Sequence, residues 1–224
     1  MSESRYDFLL CDLDDTLYSS HCGVMRAVGE RIYLYMVERL AFSPEETRRL
    51  RREYMEQYGT SLRGLVVHHG IDPEAYMEFV HDLPLEQLLW PDPDLDDMLA
   101  AIPLRKVVFT NASREHAVRV LDILGVRRHF EHIIDVRDFD YHSKPDPLAY
   151  ERILSILNVG PPRCIMVEDS ARNLAPARTM GMTTVWVSDG SQTAAAGDSV
   201  PDFRIPDIHQ LAAVLDELMG HAGS

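Results

Sequence analysis

The chain has 224 residues and a formal net charge of −14. A surface that negative repels nucleic acid and anionic membranes at long range, so neither is expected as a partner. Hydrophobic residues make up 46% and charged residues 26%, which excludes a disordered chain and leaves room for one large domain or a core with an insert.

No apolar run reaches the length of a membrane span. Met1-Ser2-Glu3-Ser4-Arg5 leads straight into a strand-like segment, so no signal peptide is read. The three cysteines form no close metal-binding pair and cannot all pair with one another, which predicts a reducing, cytoplasmic setting.

The first predicted strand, Phe8 to Cys11, empties into Asp12-Leu13-Asp14-Asp15-Thr16-Leu17. A buried strand ending in two carboxylates one residue apart sets them at the C-terminal edge of a sheet, where open α/β folds build their sites. Roughly ninety residues then pass before the next strand, far more than one crossover helix needs. The interval reads as helical: Val24, Val28, Ile32, Tyr35 and Leu40 make one apolar stripe. Ser43-Pro44-Glu45-Glu46 is a helix start with an N-cap serine, proline at the first position and a capping-box glutamate. Asp72-Pro73-Glu74 starts another helix in the same way. Trp90-Pro91-Asp92-Pro93-Asp94 reads as a stiff return linker, with Trp90 as its anchor.

Further strands are predicted at Val107 to Thr110, His132 to Ile134, Cys164 to Val167 and Thr184 to Val187, the last with Trp186 in the core. Between and after them, Ala117, Val118, Leu121 and Leu124 share a helix face, as do Ile208, Leu211, Ala212, Leu215 and Leu218. The only compositionally biased tract is the Gly- and Ala-rich stretch from Gly190 to Gly197. Alternating strands and helices predict an α/β fold, a doubly wound parallel sheet, with an inserted all-helical cap. The division expected is 1–17 and 91–224 for the Rossmann-like core and 18–90 for the cap.

Asp-x-Asp-x-Thr alone is a weak signal, but the other strand ends strengthen it. The second strand runs into Thr110-Asn111, and the fourth into Glu168-Asp169-Ser170. Ser143-Lys144-Pro145-Asp146-Pro147 holds a lysine in a stiff loop ahead of a helix. In a parallel sheet these ends share one edge. Clustered carboxylates are costly unless compensated, and a hard divalent cation with oxygen ligands, Mg²⁺ beside a phosphate, relieves that cost. Histidine and cysteine are absent from the set, which argues against zinc.

The chemistry expected is phosphoryl transfer. Asp12 is the nucleophile, and Asp14 protonates the leaving oxygen and later activates water. Thr110 and Asn111 bind phosphoryl oxygens, and Lys144 balances the charge on the transferring group. Asp169 ligates the metal, with Glu168 supporting it directly or through water.

Asp12-Leu13-Asp14-Asp15-Thr16, Thr110-Asn111, Lys144-Pro145 and Glu168-Asp169 resemble the four ordered motifs of the haloacid dehalogenase-like superfamily. The resemblance covers the whole chain and implies a Mg²⁺-dependent aspartyl-phosphate mechanism, with the main-chain carbonyl of Asp14 also reaching the metal. It implies a helical, C1-type cap over the site. Dehalogenase members typically lack an aspartate at the position of Asp14, so its presence implies phosphate chemistry. Asp14-Asp15-Thr16-Leu17-Tyr18, Tyr58-Gly59-Thr60-Ser61-Leu62-Arg63-Gly64-Leu65 and Lys144-Pro145-Asp146-Pro147 further resemble the pyrimidine 5′-nucleotidase branch, although Ser19 stands where that branch commonly has proline.

Thr60, Ser61 and Arg63 are the cap residues weighed for substrate contact, against a reading in which they merely start a helix. Tyr18 and His21 stand either at the entrance or in hinge packing. Arg48, Arg49, Arg51 and Arg52 read as a solvated helix face, His68 and His69 as exposed or capping residues, and Ser170 as a helix N-cap. Cys11 reads as a small core residue. The function expected is hydrolysis of a small phosphorylated metabolite, a nucleoside monophosphate, by a monomer or homodimer. A phosphomutase of the same superfamily and a phosphoacceptor signalling module are the alternatives.

Overall fold

The computed structural model describes residues 5–190 and 200–220. Its strands are β1 (Phe8–Cys11), β2 (Arg105–Phe109), β3 (Phe130–Ile134), β4 (Cys164–Glu168), β5 (Thr183–Val187) and β6 (Phe203–Ile205). They form one sheet in the order β3-β2-β1-β4-β5-β6, with every pair parallel. The chain winds outward from β1 in both directions, so the switch point lies between β1 and β4. Open sheets bind ligands at that crevice.

Burial explains why β1 is central. Leu9 and Cys11 join the apolar cluster on one face, and Phe8 and Leu10 join the cluster on the other. A parallel strand covered on both faces must be apolar throughout, which is why no polar residue interrupts it.

Between β1 and β2 lie α1 (Val24–Leu34), α2 (Pro44–Tyr58), α3 (Ser61–His69) and α4 (Pro73–Val80). Both predicted helix starts form as read. Ser43 Oγ accepts from Glu46 N at 3.2 Å, and the Asp72 carboxylate accepts from Glu74 N at 2.9 Å. The return bond expected from the Glu46 side chain is not made among the described residues. The stripe from Val24 to Leu40 does not stay on one helix: the α-helical pitch widens to a π-turn over Tyr35–Arg39 before the chain turns at Ala41.

These helices are not detached from the core. Val24 and Val28 bury into one apolar cluster, while Leu50, Tyr54, Leu65 and Met77 extend the other. Contact is closest at Gly59, which has a φ of +81° and where a Cβ would stand 2.5 Å from the carbonyl oxygen of Lys144. Only glycine fits both that backbone and that gap.

The remaining helices are α5 (Pro93–Ala101), α6 (Arg114–Leu124), α7 (Pro147–Leu157), α8 (Ala171–Met180) and α9 (Leu211–Gly220). On α6 the buried stripe is His116, Ala117, Val120, Leu121 and Leu124. Val120 therefore takes the inward place that the pattern had assigned to Val118.

Two other readings need correction. Strand β6 went unread, because three residues at a sheet edge carry too short a pattern to stand out. Trp90 is 66% exposed, so it anchors nothing; the turn is held by Asp92, whose N–H reaches Leu124 O at 3.0 Å. Trp186 is buried as expected. The biased stretch after Gly190 lies outside the described residues. No helix among the described residues is long and apolar enough to cross a membrane.

Candidate active site

The C-terminal edge of the sheet gathers the acids. Asp12 follows β1 directly, pinned by its N–H to Val167 O at 2.9 Å, and Glu168 is the last residue of β4. One carboxylate oxygen each from Asp12, Glu168 and Asp169 lies within 4.8 Å of the others.

Lys144 enters this cluster from the loop before α7 and is 1% exposed. Its Nζ donates to Asp12 Oδ1 at 2.6 Å, Glu168 Oε2 at 2.7 Å and Phe109 O at 2.7 Å. All three ammonium protons are thereby committed. Thr16 Oγ1 donates to the second oxygen of Asp12 at 3.0 Å and accepts from Asp169 N at 3.0 Å, linking the ends of β1 and β4.

The electrostatics follow from burial. Burial pushes Asp12 up to about 7, reinforced by Glu168 and opposed by Lys144. Glu168 is likewise pushed up to about 7 by burial against the pull of Lys144, and Asp169 to about 6 by burial and then Asp12. Lys144 moves the other way: burial alone would lower it, but Asp12 and Glu168 hold it above its ordinary value. Fully ionised, three carboxylates against one ammonium would leave two net negative charges. The donor set is all oxygen and under-neutralised, which fits a hard divalent cation.

Asp14 behaves differently. Its Oδ1 accepts from Tyr18 OH at 2.6 Å and pairs with His116 Nε2 at 2.8 Å. Burial alone would raise Asp14, but His116 and then Tyr18 hold it below the usual carboxylate range. His116 is fully buried on α6, and its Nδ1 has no hydrogen-bond partner. The ring of His81 stacks on it with centroids 4.4 Å apart, and His81 Nδ1 meets Ser113 Oγ at 3.0 Å. Both partners fall on one oxygen, so the other makes no hydrogen bond among the described residues, and Asp14 lines the same cavity as the acid cluster.

A family model of haloacid dehalogenase-like hydrolases matches residues 6–181, the span that holds every residue of this site. The chain belongs to that family. Phosphate metabolism protein 8 of Saccharomyces cerevisiae is 29% identical over 191 residues, covering 76% of this chain but only 58% of that one. N-acylneuraminate-9-phosphatase of Mus musculus is 22% identical over 242 residues and 97% of each chain. Among solved structures, L-2-haloacid dehalogenase of Xanthobacter autotrophicus superposes with a TM-score of 0.63 at 17% identity, over 94% of this chain and 98% of that one. That superposition is a likeness of fold.

In this family member, the predicted residues Asp12, Asp14, Lys144, Thr110, Glu168 and Asp169 meet at one edge. Asn111 lies there too and lines the cavity; its amide clamps the backbone of Lys144, accepting from its N–H at 2.8 Å and donating one of its two N–H groups to its carbonyl at 3.1 Å. Thr60 caps α3 by accepting from Arg63 N at 3.2 Å, and its hydroxyl meets Ser143 at 2.8 Å, next to Lys144. Arg63 turns away from the cavity, with Nη2 at 3.4 Å from His142 Nε2. His21 is exposed and pairs with Asp189 at 3.2 Å. His68 and His69 are exposed as read, each bonded to a tyrosine of α2 at 2.7 Å. Ser170 holds the N-cap position of α8, but its side chain makes no cap bond there.

Sequence reasoning missed His116, His81 and the bridging role of Thr16. Their one trace is a histidine on the buried stripe of α6, where an apolar residue is the usual choice. His81 gives a measurable consequence. Burial, and after it the neighbouring His116, push His81 down from 6.5 to about 3. Over that interval the unfolded chain binds a proton that the folded chain refuses, so stability falls as pH falls. Relative to His81→Gln, the parent should lose about 2 kcal/mol of unfolding free energy between about pH 7.5 and about pH 5. Urea titrations at both pH values measure this; parallel pH profiles for the two proteins would contradict it.

Proposed function

We propose that this chain is a Mg²⁺-dependent phosphomonoesterase that passes the phosphoryl group through Asp12, with a nucleoside 5′-monophosphate of the pyrimidine type as substrate. The observation that carries the reading is the placement of Asp12. It is hydrogen-bonded to Lys144 at 2.6 Å, shares an oxygen cluster with Glu168 and Asp169, and stands two residues from a separately held Asp14. The phosphatase among its full-length relatives supports the reaction class. The resemblance of Tyr58 to Leu65 to the pyrimidine 5′-nucleotidase branch supports the substrate class.

The cation, held by Asp12, Glu168 and Asp169, would supply charge neutralisation for the incoming phosphate. The steps belong to the protein. An Asp12 oxygen attacks phosphorus and the ester P–O bond breaks, with Lys144 offsetting the charge that gathers on the transferring group. Asp14, ionised in the free site, takes up a proton as the anionic phosphate arrives beside it, because a neighbouring like charge raises its affinity. Its free oxygen delivers that proton to the leaving oxygen. Asp14 then accepts a proton from the water that attacks the aspartyl-phosphate, and the P–O bond to Asp12 breaks to release inorganic phosphate. Tyr18 and His116 are positioning residues in this scheme: they fix which oxygen of Asp14 faces the substrate. The helical insert, residues 18–90, acts as a cap that excludes water from the aspartyl-phosphate until the alcohol product leaves.

Phosphate release from uridine 5′-monophosphate tests the reading. Activity should require Mg²⁺ and vanish with chelator, and Asp12→Asn, nearly isosteric, should lower turnover by about 10³-fold or more without unfolding the chain. Turnover that survives either change would contradict it. His116→Leu should lower kcat/KM about 10- to 100-fold for uridine 5′-monophosphate, whose alkoxide needs a proton, and far less for p-nitrophenyl phosphate, whose phenolate does not. Equal losses on both esters would remove His116 from the proton-delivery apparatus.

A further inference from the structure

The cavity over the acid cluster has a volume of about 440 Å³ and two chemically unlike ends. One end holds the carboxylates. The other is walled by the helical insert with apolar side chains, among them Ile32, Met55 and Met77. Against that wall stand two polar groups whose hydrogen-bonding capacity is unspent.

The first is Arg51 of α2, which makes no hydrogen bond or ion pair among the described residues. It belongs to the arginine run read as a solvated face, yet it is only half-exposed and lines the cavity. The other arginine there, Arg172, is engaged: its guanidinium donates to Met55 O and Glu56 O at the end of α2. In a chain with 36 acidic and 22 basic residues, an arginine left without a carboxylate partner inside a cavity stands out.

The second is Tyr76 of α4, which is 3% exposed and lines the same wall. Its hydroxyl makes no hydrogen bond among the described residues, yet it is not sealed into the core, so it opens on the cavity. Arg51 lies near enough to oppose the upward push that burial exerts on this phenol.

Gly29 of α1 lies beside Arg51 in the same wall. Glycine inside a helix costs about 1 kcal/mol relative to alanine. Here a Cβ would stand 3.3 Å from Arg51 Nη2, a tight contact that sets the guanidinium directly against the bare backbone of α1.

We propose that Arg51 and Tyr76 form a base-reading subsite for a planar ring with carbonyl oxygens on its edge, the uracil type. This rests on the nucleotide reading above and extends it. A guanidinium offers only donors, so it selects a ring edge that accepts. The tyrosine hydroxyl both donates and accepts, and so can meet a second ring position. The methionines supply polarizable, adaptable contact for the ring faces. An adenine edge places an exocyclic amino donor where uracil places a carbonyl acceptor, so a guanidinium facing that position is left unpaired. A buried polar group left unpaired by the wrong substrate is a strong discriminator.

The test uses three substrates with the full chain and Mg²⁺: uridine 5′-monophosphate, adenosine 5′-monophosphate and ribose 5-phosphate, which is the same phosphate and sugar without a base. The parent should favour the uridine ester in kcat/KM over both others. In Arg51→Met, the ratio of kcat/KM for the uridine ester to that for ribose 5-phosphate should fall about tenfold or more, and Tyr76→Phe should lower it in the same direction. If the parent shows no preference for the uridine ester over ribose 5-phosphate, the nucleotide reading fails and the subsite with it. If the parent shows the preference and both variants keep it, the nucleotide reading stands and the subsite is overturned. A fall by one common factor on all three substrates also overturns it, because a base-reading residue must act through the base.

Discussion

One buried ammonium set against two buried carboxylates, with a third half-buried beside them, is the constraint on which the rest of this molecule turns. Each ion loses several kcal/mol of hydration in such a place, and attraction offsets that only when the hydrogen bonds are complete. Lys144 meets the requirement, with every proton on an oxygen at 2.6 to 2.7 Å. Yet it neutralises one charge of three. Ionised together, Asp12, Glu168 and Asp169 would leave two negative charges unbalanced; burial and then mutual repulsion hold them back from that state, and a divalent cation would relieve it in the proposed reaction.

The constraint reaches into the helical insert through the loop that carries Lys144. Asn111 clamps the backbone of Lys144 from the core side. Gly59 leans on its carbonyl from the insert side, and Thr60 bonds to Ser143 beside it. Further ties join the two regions: Arg137 forks onto Glu74 at 2.6 and 2.8 Å, and Arg172 holds the last carbonyls of α2. The lysine that orders the nucleophile is therefore also the point where the insert meets the sheet. Under the proposed function, the elements that would read the substrate and those that would transfer its phosphoryl group share one loop.

Much of this was legible in the residues. The strand cores, the helix starts at Ser43 and Asp72 and the meeting of Asp12, Lys144 and Glu168 are all written in local pattern, because apolar runs and cap residues act over a few positions. What stayed hidden depends on three-dimensional approach. Asn111 sits where a phosphate ligand would be expected, and only the fold shows that its amide also clamps a backbone 33 positions away. His116 reads as one polar residue on a helix, and only the fold sets it against Asp14, 102 positions back in the chain. Arg51 looks like its neighbours Arg48, Arg49 and Arg52 until the chain is folded and it alone faces inward. Strand β6 and the exposure of Trp90 went astray for a plainer reason, that three residues and one ring carry too little pattern.

Trapping the transferred group would test the account at its centre. Acid-quenched turnover with Mg²⁺ and substrate, followed by borohydride reduction, converts an aspartyl-phosphate to homoserine, which peptide mass spectrometry can place in the chain. The account predicts homoserine at position 12, dependent on substrate, and at no other aspartate. Steady turnover with Asp12 recovered unmodified and a second aspartate converted would contradict it.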